Sequence, residues 1–102
     1  MINKAICVIS KTHKKCKEFS NTLKELWSEP MMNGVGITTY DDICNPNTSI
    51  IMEKYNISSL PSLILVDEKE DEICKISGNV DIATLKDIIG DIMNGKYNWS
   101  LR

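Results

Sequence analysis

The chain has 102 residues, enough for one hydrophobic core and too few for two. Its apolar fraction of 42% is ordinary for a globular protein, and a formal net charge of -2 favours neither nucleic acid nor an acidic membrane as a partner. Of the 12 Lys and Arg residues only Arg102 is arginine, and Ile and Asn are heavily used, a bias typical of AT-rich genomes, cellular or viral.

Met1 to Lys4 leads into a short apolar run, Ala5 to Ile9, with neither the length nor the flanks of a signal peptide or membrane span. A cytoplasmic protein is the expectation. Lys4 to Ser10 reads as a buried strand, apolar with β-branched residues and bounded by the polar stretch Ser10 to Lys15. Cys16, Phe19, Leu23, Leu26 and Trp27 then recur at helical spacing and predict a first helix closed near Pro30.

Val35 to Asp41, entered through Asn33-Gly34, is β-prone and predicts the second strand. Asn45-Pro46 offers an N-cap followed by proline at the first helical position, so a second helix is expected from there to about Tyr55. Ser62 to Val66 is almost wholly apolar, as in a central strand covered on both faces. Asp67 to Asp71 is a charged turn, and Glu72 to Ser77 reads as the returning strand of a hairpin, stopped by Gly78.

Asp81 can cap a last helix in which Ile82, Leu85, Ile88, Ile89, Ile92 and Met93 recur at helical spacing, with Asn94-Gly95 as its stop. Residues 1-95 form the expected domain and 96-102 a tail carrying Tyr97 and Trp99. The order is β-α-β-α-β-β-α. A crossover to a parallel neighbour is expected after each of the first two strands and an antiparallel hairpin at the end, giving an α/β protein whose mixed four-stranded sheet has helices on both faces.

Three stretches resemble the thioredoxin family. Ala5 to Phe19, AICVISKTHKKCKEF, resembles its strand, redox loop and first helix, with Cys16-Lys17 matching the second cysteine and the lysine after it. Tyr55 to Ser62 resembles the family's tyrosine-to-proline-threonine segment and sets Pro61 at its cis-proline. Gly78 and Leu85 match the last-strand glycine and last-helix leucine. The resemblance implies the minimal thioredoxin fold.

It also isolates the departures. His13 stands in the place of the nucleophilic first cysteine, so the motif reads His13-Lys14-Lys15-Cys16 instead of Cys-x-x-Cys. Thr12 replaces the preceding tryptophan, Lys14-Lys15 the glycine-proline pair, and Cys7 a buried aspartate. The segment from Asn45 to Tyr55 is longer than the family's by about one helical turn.

Dithiol exchange requires an exposed low-pKa thiolate to attack and a second thiol to resolve the mixed disulfide. The attacker is absent here. Cys16, expected about one turn into the helix and partly buried, is either a small apolar residue in a drifted site or the nucleophile of a monothiol enzyme exchanging with glutathione or a partner thiol. His13 has the corresponding alternatives of a solvent-facing helix-start residue or a base or metal ligand, and with no second histidine in the chain no metal is expected.

A Cys7-Cys16 disulfide is a further option that its geometry must decide, while Cys44 and Cys74 read as structural or incidental. Lys11, Lys14, Lys15 and Lys17 form either a solvated helix start or an anion-facing patch. The expected function is therefore a thioredoxin-like protein of the thiol-disulfide oxidoreductase superfamily that cannot run the dithiol cycle. It would hold a protein or peptide partner at Thr12, His13, Lys14, Lys15, Leu60 and Pro61, with no cofactor unless glutathione serves. Its alternatives are the monothiol oxidoreductase using Cys16 and a structural subunit that docks through its tail or second helix.

Overall fold

A computed structural model of the chain describes residues 2-10, 12-41, 46-78 and 80-95. The elements are β1 (Lys4–Ile9), α1 (Lys14–Trp27), a 3-10 turn (Pro30–Met32), β2 (Gly36–Asp41), α2 (Thr48–Lys54), β3 (Ser62–Val66), β4 (Glu72–Ser77) and α3 (Ile82–Met93). The four strands form one mixed sheet in the order β2-β1-β3-β4. The tail from residue 96, with Tyr97 and Trp99, lies outside the described residues, as do Asn45 and Cys44.

Alternation along the strands divides the core in two. Ala5, Cys7 and Ile9 of β1, with Leu63, Leu65, Cys74 and Ile76, face α1 and α3 and pack against Phe19, Leu23, Leu26, Leu85 and Ile89. Ile6, Val8, Ile64 and Val66 face the other way, onto Tyr55, Ile57 and the half-buried Ile51 and Met52 of the α2 region. β3 is buried at every position because it lies inside the sheet with both faces covered.

The strand directions correct one expectation. β1 and β2 are parallel, but the second crossover delivers β3 antiparallel to β1 rather than parallel to its neighbour. Helix length supplies the reason. The seven residues of α2 span about 10 Å, half the length of a six-residue strand, so the connection crosses the sheet without returning along it. Consequently β3 starts at the end of the sheet where β1 and β2 stop, with Val8 opposite Ser62 and Ile9 opposite Asp41.

The start of α2 is a second correction. The helix begins at Thr48 with Asn47 in the cap position, after a turn through Pro46, and the Thr48 hydroxyl donates to the Asp41 carbonyl at 2.7 Å. That buried hydrogen bond ties the helix to the last residue of β2. At its other end Lys75 Nζ donates to the carbonyls of Tyr55 and Asn56 at 3.2 and 3.0 Å, placing a cation at the negative end of the helix.

The first helix ends at Trp27, before Pro30, which instead opens the 3-10 turn. The last follows the sequence closely. Asp81 accepts from the Thr84 N–H at 2.8 Å as N-cap, and Gly95 takes φ 72 after the last turn, a conformation that L side chains resist. No helix among the described residues is long and apolar enough to cross a membrane.

Candidate functional site

Register places the candidate residues at one end of the sheet. The loop leaving β1 and the loop entering β3 emerge there from adjacent strands, about 4.8 Å apart. Thr12 to Lys15 lie on the first of these loops and at the start of α1, whereas Leu60 and Pro61 lie on the second.

His13 is the N-cap of α1, with extended φ -98 and ψ 128. Its Nδ1 accepts from the Lys15 N–H at 3.3 Å, which requires a lone pair on that nitrogen, and its carbonyl accepts the first helical bond from Lys17. The Ser10 and Thr12 hydroxyls are 3.1 Å apart and steady the loop before it. Thr12, His13, Lys14, Lys15 and Lys17 are all exposed, and Lys11 lies outside the described residues.

Cys16 is the third residue of the helix, and its position turns it inward. Expected to be partly buried, it is 0% exposed and packs with Phe19 and Cys7 in the larger core cluster. Cys7, Cys16 and Cys74 are not joined in disulfides. Burial, and after it the neighbouring Cys16 thiol, pushes the Cys7 pKa from 9.0 up to about 12, so Cys7 is a neutral thiol at physiological pH. Cys74 is buried in the same cluster on β4 and is remote in the fold from the loop.

On the opposing loop the Leu60–Pro61 peptide is cis. Pro61 is fully buried, and its carbonyl accepts from the Gly78 N–H at 2.8 Å. Ser62 braces the same loop, its hydroxyl donating to the Ser59 carbonyl at 2.7 Å and lying 3.3 Å from that of Ser77. The Pro61 ring is therefore not a contact surface. What the loop presents is the half-buried Leu60 and the exposed Ser58 and Ser59, and among the described residues the Leu60 backbone makes no hydrogen bond.

Sequence reasoning missed a cleft of about 550 Å³ between the second half of α1 and the outer strand β2. Leu23, Lys24 and Trp27 form one wall, Ile37 and Thr39 the other, and Cys7 lies at its floor. The Trp27 indole N–H is fixed by the Val35 carbonyl at 2.9 Å. The available signal was Trp27 at the end of an apolar helix face, which sequence spacing assigns wholly to the core.

The fold is shared with solved proteins. Thioredoxin-2, described as a component of malaria parasite protein secretion machinery, superposes with a TM-score of 0.71 at 18% identity over 89% of this chain and 81% of that one. The chain has the thioredoxin fold. Chloroplastic thioredoxin z matches with a TM-score of 0.71 at 20% identity, covering 90% of this chain and 79% of the other. Thioredoxin O2 from Arabidopsis thaliana, in its oxidized state, matches at 0.69 and 22% identity, covering 95% and 76%. No protein-family model and no curated protein matches the sequence. Identities this low establish the thioredoxin fold and leave the chemistry of its loop to be argued from the residues themselves.

Proposed function

We propose that this chain is a thioredoxin-like module of the thiol-disulfide oxidoreductase superfamily with a degenerate redox site, one that holds a protein or peptide partner and does not cycle dithiols. The complete burial of Cys16 carries this reading. A dithiol cycle needs an exposed attacking thiolate, and the exposed position at the start of α1 is filled by an imidazole engaged in capping. The buried Cys16 also speaks against a monothiol exchange with glutathione, because thiolates react in proportion to their access.

Binding needs no thiol. The Leu60 backbone is free to pair with an extended segment, as in strand addition, and Lys14, Lys15 and Lys17 stand exposed at the same end of the sheet to favour an acidic one. The test has two readouts. Reduction of insulin disulfides by the wild type is expected to stay at the uncatalysed rate, and turnover abolished by Cys16→Ala would overturn the inactive assignment. Titration with extended acidic peptides should shift the amide resonances of 12–15 and 59–60. Shifts confined elsewhere would move the docking surface away from these loops.

A further inference from the structure

Among the described residues nothing pairs with the outer side of β2, and its first five residues carry none of the devices that usually protect an edge. β2 is the outer strand of the sheet, and Gly36, Ile37, Thr38 and Thr39 are exposed. Edge strands are ordinarily guarded by charge, proline, a bulge or brevity. β4, the opposite edge, carries Glu72 and Lys75, and its pairing with β3 is irregular at Leu65 and Val66. Gly36 to Tyr40 has no charge and no proline, and the sixth residue of the strand, Asp41, is buried.

We propose that the β2 edge is the contact surface of a symmetric dimer, in which Gly36 to Tyr40 of two copies pair antiparallel about a two-fold axis at Thr38. Neutrality favours a second copy over a foreign strand. A foreign strand can complement any charge, but a strand meeting its own copy sets identical residues opposite one another at the axis, where any charge is repelled. β2 satisfies that demand and β4, with Lys75 in its centre, does not.

The cross-strand pairs are favourable on both faces. Thr38 meets Thr38 of the second copy, a pairing that β-strands stabilise through their hydroxyls and methyls. Gly36 meets Tyr40, so an aromatic ring covers the position without a side chain. Ile37 meets Thr39 on the face that carries the cleft, because Ala5 opposite Ile37 and Cys7 opposite Thr39 both point toward α1. The two clefts then adjoin across the axis, and Ile37, which with Ile50 of α2 is one of two exposed large apolar side chains among the described residues, is covered. The joined sheet has eight strands and ends on β4 at both sides, the charged and irregular edge.

A pairing this small makes a weak, reversible dimer. Sedimentation equilibrium of the full chain, from micromolar to millimolar, should show a monomer–dimer equilibrium, with amide-hydrogen protection of 36–40 rising with concentration. Thr38→Lys or Thr38→Glu alone should weaken association roughly tenfold or more through like charges opposed at the axis, and an equimolar mixture of the two should restore it. Restoration also shows that each variant folds. A wild type that stays monomeric at millimolar concentration, binding a foreign strand or none, overturns the proposal, as does a dimer indifferent to both substitutions.

Discussion

The two thiols nearest the loop differ from a reactive pair in burial rather than in identity. Cys7 is 1% exposed and its pKa is pushed up to about 12, whereas an unfolded chain would ionise it near 9.0. The unfolded state therefore releases a proton first as the pH rises. The contribution of Cys7 to stability is complete below pH 9 and is lost progressively between about 9 and 12, on the order of 1 kcal/mol per pH unit. Denaturant midpoints of the wild type should fall more steeply over that window than those of Cys7→Val, which keeps the volume and removes the proton; parallel curves would refute the burial assignment. His13→Cys makes the complementary prediction. A thiol at the exposed N-cap feels the helix N-terminus and three lysines, so it should react with a disulfide reagent roughly tenfold faster than Cys7 or Cys16 does in the wild type, followed by mass spectrometry of the labelled peptides. The identity of these residues was readable from the sequence, but exposure was not. Spacing puts Cys16 on the apolar face of α1, whereas only the closeness of Phe19 and Cys7 decides that none of it reaches water.

At the scale of elements, legibility followed how locally each element is determined. α3 was readable from Asp81 to Met93 because its cap, its apolar stripe and its stop are all sequence-local. The backbone N–H of Thr84 donates to the Asp81 carboxylate and holds its pKa below the usual carboxylate range. A depressed carboxylate stabilises the fold above its unfolded pKa, and the contribution disappears as pH falls through the folded one. Asp81→Ala should accordingly lower the melting temperature at neutral pH and cost less once the solution is acid enough to protonate the cap, a narrowing of the difference that thermal melts at descending pH would reveal. α2 was harder because Asn45-Pro46 offered a plausible start that the Thr48–Asp41 hydrogen bond, a contact with β2, displaces to Thr48. Trp27 marks a similar limit. Its indole bonds to the Val35 carbonyl, a partner outside the helix, so Trp27→Phe should cost about 0.5–1.5 kcal/mol by urea denaturation and loosen the wall of the cleft.

For the molecule as a whole, the element order was legible and the direction of β3 was not. Hydrophobic runs report whether a strand is buried, while its direction depends on whether the preceding helix is long enough to carry the chain back, and α2 at seven residues is not. The same topology makes the two halves of the core interdependent. β1 and β3 supply Ala5, Cys7, Leu63 and Leu65 to one face and Ile6, Val8, Ile64 and Val66 to the other, so neither cluster retains a floor if the sheet is lost. The radius of gyration, 13.0 Å, is close to that expected of a compact unit of this length. A large-to-small change on one face must then destabilise both together. Phe19→Ala, which empties a fully buried ring from the α1 face, should cost about 3–5 kcal/mol, a large part of the 5–15 kcal/mol typical of a domain. In a Trp99→Phe background, Trp27 fluorescence reports the α1 face. Amide exchange of Ile57, whose N–H donates to the Met52 carbonyl, reports the α2 face. Both should shift to the same lower denaturant midpoint, and an α2 face that keeps its wild-type stability while Trp27 is exposed would mean that the sheet does not couple them.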